Sequence, residues 1–163
     1  MKKLILCLLF TAFSISFLIG EEDYADIKNL LIKQEGIFQS FIAGCDNVKN
    51  AQDVVKLITN FKDGFKELTP MLIAVAKNHK DLDTVMQTNP PETLKAELAK
   101  INELGPKVDA GFSKISTYMT DAEVMKALQE FQQVMLNLQN ELAPEKKTTE
   151  PANNTQEPKK SEG

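Results

Sequence analysis

A chain of 163 residues, 42% of them hydrophobic, is long and apolar enough for one domain with its own core. Its 19 basic side chains are all Lys, set against 23 acids, for a net charge of −4. With no Arg to grip phosphates and an acidic balance, it lacks the electrostatic footprint of a nucleic-acid-binding protein.

Residues 1–20 read as a cleavable signal peptide. Lys2 and Lys3 are followed by an apolar, uncharged run from Leu4 to Ile19, and then by Glu21, Glu22 and Asp23. A basic start, a short apolar middle and a polar exit are the export pattern. The run has 16 residues, short of the ~20 that a spanning helix needs. Small residues place cleavage after Ser16 or after Gly20; an uncleaved anchor is the rival reading. Removing residues 1–20 takes away two Lys and no acid, which leaves 17 Lys against 23 acids, a net −6. Cys7 falls inside the apolar run, too early for a lipid-anchor site. Cys45 is then the only cysteine left, so no internal disulfide can form and the core must hold the fold.

From residue 21 to 143 apolar residues recur at alternating spacings of four and three, the period of packed helices. The first helix is expected over about Glu22–Gly44, with a stripe of Tyr24, Ile27, Leu31, Gln34, Phe38, Phe41 and Cys45, and acids at its start that suit the helix dipole. The second opens at the N-cap Asn50. It carries Val54, Ile58, Phe61, Phe65, Leu68, Leu72, Val75, His79 and Leu82. Pro70 interrupts the residues but not the phase, which predicts one long kinked helix. A separate helix starting at Pro70, with Thr69 as its cap, is the alternative.

Residues 83–91 read as a loop. The third helix starts near Pro91 or Glu92, with Leu94, Leu98, Ile101, Gly105, Val108, Phe112, Ile115 and Met119 on its stripe and Gly105-Pro106 inside it. The second and third helices align at an offset of 36 residues that superposes Pro70 on Pro106, a hint that they form one hairpin. The fourth starts at Thr120-Asp121-Ala122-Glu123, a capping-box pattern, and carries Val124, Leu128, Phe131, Met135, Leu138 and Leu142. Residues 144–163 contain one aliphatic side chain, Ala152, and read as a disordered tail. The expected architecture is all-α: an antiparallel up-down-up-down four-helix bundle over residues 21–143 with proline-kinked second and third helices.

Candidate chemistry is sparse. His79, the only histidine, lies on an apolar stripe in a bundle that also holds Met71, Met86, Met119, Met125 and Met135. That pair of residue types can hold a b-type haem, and His79 is the one candidate cofactor ligand. The competing reading makes it a residue at a helix C-terminus, where a positive charge suits the dipole. One histidine cannot furnish the paired Glu-x-x-His sites of a di-metal bundle. No nucleophile–base constellation is visible, and the acids read as solvated outer faces. The expectation is an exported, non-enzymatic protein, periplasmic or secreted from a bacterium, without metal or cofactor, that binds a protein partner. The alternative is a carrier of haem or an apolar molecule in the bundle core. Mass spectrometry of the exported protein should find its N-terminus between Phe17 and Glu22; an intact Met1 in the soluble fraction would refute the signal-peptide reading.

Overall fold

The computed structural model describes residues 24–79, 82 and 90–143. The expected signal peptide, the expected tail and most of the loop 83–91 lie outside these residues. Four α-helices form where the four–three spacing places them: α1 (Ala25–Cys45), α2 (Ala51–Asn78), α3 (Glu92–Lys114) and α4 (Ala122–Leu142). A short 3-10 turn over Ile115–Tyr118 follows α3, and no strand occurs among the described residues.

The helix ends follow local chemistry. The Asn50 side chain accepts a hydrogen bond from the Asp53 N–H at 3.0 Å, and Asp53 accepts in return from the Lys49 N–H. At α4 the cap is Asp121, which accepts from the N–H groups of Glu123 and Val124; the capping-box pattern pointed to Thr120, one residue earlier. Helix α2 runs without a break through Pro70, and α3 through Pro106. Val75, His79 and Leu82 beyond Pro70 are buried together with Phe65 and Leu68 before it. A separate helix starting at Pro70 is thereby ruled out.

The closely packed pairs are α1 with α3, α2 with α4, and α1 with α2. Helices α2 and α3 are not among them, so the proline alignment does not mark a hairpin partnership. Along α1 and α3, Lys28 pairs with Glu97, Glu35 with Lys100, and Asp46 with Lys114. Residue numbers therefore rise together along these two helices. The core joins all four helices through six phenylalanines: Phe38 and Phe41 on α1, Phe61 and Phe65 on α2, Phe112 on α3 and Phe131 on α4.

Helix α3 packs on a seam offset from the expected one. Its buried residues are Leu94, Glu97, Ile101, Leu104, Gly105, Val108 and Gly111; Leu94, Ile101, Gly105 and Val108 belong to the expected stripe, whereas Leu98 and Phe112 of that stripe are only half-buried. Gly111 is what lets α3 approach α1: a Cβ there would stand 2.9 Å from Cys45 Sγ and 3.0 Å from Phe41 Cε1. At Gly36 a Cβ would meet nothing within 4 Å. Gly111→Ala should therefore destabilise the protein, because overpacking of about 1–3 kcal/mol exceeds the gain in helix propensity. Gly36→Ala should stabilise it by about 0.5–1 kcal/mol. Urea unfolding of the two variants checks both signs.

Candidate functional site

His79 occupies the C-cap of α2, where its N–H donates to the Val75 carbonyl at 2.9 Å. Only 7% of the residue is exposed. The helix end delivers its ring to the first turn of α1, where Nε2 lies 3.0 Å from both carboxylate oxygens of Asp26. The Tyr24 ring stacks on the imidazole at 5.7 Å between centroids. Asp26 Oδ1 also accepts from the Ile27 N–H. The arrangement is a latch that holds the end of α2 on the start of α1.

The expected haem ligand thus has its Nε2 engaged by a carboxylate, and any metal at that nitrogen would have to displace Asp26. Of the sulfurs, Met135 is buried, Met71 and Met119 are half-buried, and Met125 is exposed; Met86 lies outside the described residues. Among the described residues no cluster of His, Cys, Asp and Glu side chains is arranged to hold a metal ion.

Cys45 is buried at the last turn of α1. Burial pushes its thiol up from the ordinary value, and the charge of the adjacent Asp46 adds to that. A raised thiol is mostly protonated at neutral pH and makes a poor nucleophile. The 19 residue steps of α1 from Asp26 to Cys45 span about 28 Å, so His79 cannot serve as the base for this thiol.

Two charged side chains are buried, and one of them, Glu97, escaped the reading that put the acids on outer faces. Lys62 on α2 is 8% exposed and donates to Glu130 on α4 at 2.7 Å. That hydrogen bond, together with the lysine charge, lowers the Glu130 carboxyl below its usual range. Glu97 on α3 is 9% exposed. Its Oε1 lies 3.5 Å from the Lys28 ammonium, and its buried Oε2 has no hydrogen-bond partner. The signal for Glu97 was present in its position: it lies three residues after Leu94 and four before Ile101, on the buried seam of α3. At the far end of the same helix pair, hydrogen bonding to Asp46 raises the exposed Lys114 ammonium.

Between α1 and α2 a groove of about 620 Å³ runs along the surface. Phe41 and Leu68 form its floor as buried core residues, the half-buried Ile37 lies on one wall, and Lys33, Asn60 and Glu67 stand exposed around it. Gly36 leaves one side open. None of these residues forms a catalytic set.

No described helix is long and apolar enough to cross a membrane. Comparison with protein-family models, with curated proteins and with solved structures finds no match to this chain.

The unpartnered Glu97 oxygen yields a prediction. A buried acceptor without a donor keeps its full desolvation cost. Glu97→Met, which conserves length and removes the charge, should leave stability unchanged or raise it by about 1 kcal/mol, a direction known for buried charges replaced by apolar side chains. A loss above 1 kcal/mol in denaturant unfolding would show that the Lys28 pair outweighs the orphaned oxygen.

Proposed function

We propose that this chain is an exported, non-enzymatic helical protein of the bacterial envelope or exterior that acts by binding a protein partner along its α1–α2 face. The groove between those helices carries the reading. It sets the half-buried Ile37 and the open Gly36 above a floor of core side chains, between exposed Lys33, Asn60 and Glu67, a concave surface with room for a helix or an extended segment. The leader-like residues 1–20, the acidic balance and the engagement of His79 by Asp26 are consistent with a binding protein whose titratable groups serve the fold.

In the same reading the helices alternate in direction as an antiparallel up-down-up-down bundle, and α2 and α3 bend at Pro70 and Pro106. The bends are supported by the missing proline N–H groups and by the Thr69 hydroxyl, which donates to the Phe65 carbonyl beside Pro70.

Gly36→Trp tests the proposal, since the position is exposed, open and in the groove. Tagged wild type and variant, produced from the full-length gene in the native cell, should differ only in recovered partner. The variant should lose at least five-fold of any protein that co-purifies with wild type, with an unchanged thermal midpoint. Equal recovery by both would show that the groove is not the binding face.

A further inference from the structure

Helix α4 carries two seams at four–three spacing. The inner one, from Val124 through Phe131 to Leu138, packs into the core. The outer one is Ala122, Met125, Gln129, Gln132, Leu136 and Gln139, and every residue of it is exposed. Met125 is 43% exposed and Leu136 49%, two of the three large hydrophobics in the described chain that face solvent. No residue of this seam is charged, and no charged residue occurs anywhere from 131 to 140. The exposed faces of α2 and α3, in contrast, carry Lys56, Asp63, Lys66, Lys95, Glu103 and Asp109.

From this face we infer that the protein pairs with a second copy of itself, α4 against α4, independently of the α1–α2 groove. Charge selects the occupant. A foreign partner is steered and registered by complementary charges, and this seam offers none. Across a two-fold axis a surface meets itself, so any charge on it would face its own kind. An acidic protein repels its own copies, and an uncharged seam is where that repulsion is least.

The amides suit the same geometry. Gln is both donor and acceptor, so in a parallel pair Gln129, Gln132 and Gln139 each meet their own kind across the axis, and in an antiparallel pair centred on Gln132 that residue does. Polar side chains at seam positions fix register at the expense of stability. The dimer is therefore a concentration-dependent one, anchored by Met125 and Leu136. The exposed face of α1 also lacks charge along Ala25, Asn29, Ile32, Gly36, Gln39 and Ala43, but it has one large apolar side chain and a glycine at its middle.

Sedimentation velocity over a wide concentration range tests the inference on protein produced from the full-length gene. The wild-type mass should rise toward twice that of the monomer. Met125→Lys/Leu136→Lys should remain monomeric, and Ile32→Lys should behave as wild type. All these positions are exposed, so helix content and thermal midpoint should be retained, and circular dichroism confirms this. Gln132 is the middle residue of α4, so it meets its counterpart in a parallel pair and in an antiparallel pair centred on the helix midpoint. Gln132→Cys with diamide, which takes two electrons and two protons from a thiol pair, should give a disulfide-linked dimer. Wild type, with Cys45 buried, should give none. A monomer at every concentration, dissociation by Ile32→Lys in place of the α4 variant, or no cross-link through Gln132→Cys would each overturn the inference.

Discussion

The fold depends on one contact set, the rings gathered around Phe61. Its ring lies 4.4 Å from Phe41, 5.0 Å from Phe65, 5.3 Å from Phe131 and 6.0 Å from Phe112 between centroids. Those partners come from all four helices. The chain has no Trp, and its one cysteine in the described residues is unpaired. The free energy must therefore come from apolar burial, roughly 1.5–3 kcal/mol for each large side chain, with about 0.5–1.5 kcal/mol more for each well-placed ring pair. Rings of this size also dictate what may stand opposite them. Gly111 sits against Phe41 because nothing larger fits, and Phe112, one residue on, then reaches the same cluster from the flank of α3.

Around that core, charge decides orientation more than stability. Of the three ion pairs between α1 and α3, Asp46–Lys114 is exposed on both sides and contributes little, while in the other two an exposed Lys meets a largely covered Glu. Their spacing along both helices nevertheless suits only one register and one relative direction. At one end the His79–Asp26 latch holds α2 to α1, and at the other Asp46 holds Lys114. Lys62 and Glu130 do the same between α2 and α4. The cost of burying Lys62 is offset by a short hydrogen bond, whereas Glu97 keeps one oxygen without a donor. The α1–α3 side thus carries a polar defect that the α2–α4 side lacks.

Much of this was legible in the residues. The four–three period located all four helices, Asn50 announced its cap, and the unbroken phase across Pro70 indicated one helix. The period did not say which flank of a helix a neighbour covers. Choosing the more apolar residue at each step favoured Leu98 over Glu97 and Phe112 over Gly111, and so tilted the α3 seam away from its true partner. The α3 face is set by α1, and that choice depends on shape: Gly111 permits the approach, and Lys28 makes Glu97 tolerable. Asp121 displaced Thr120 as the α4 cap for a local reason, since two N–H groups of the first turn reach its carboxylate. The export reading rests on residues outside those described and stays with the sequence.

These constraints narrow where activity can reside. The single imidazole is committed to a carboxylate, the single described thiol is buried and pushed up from its ordinary range, and about 28 Å of helix separates them. Among the described residues the ion pairs and hydrogen bonds of Asp26, His79, Lys62, Glu130, Glu97, Lys28, Asp46 and Lys114 are distributed along helix contacts. What the bundle leaves open are faces: a groove with a polar surround between α1 and α2, and an uncharged seam on α4. They differ in a way that physical chemistry can read. A surface with mixed charge distinguishes one partner from another, because a mismatched charge costs several kcal/mol. A neutral, amide-rich surface distinguishes little except shape and register. Under the two proposals above, the groove is therefore the selective face and the α4 seam the one that meets a second copy.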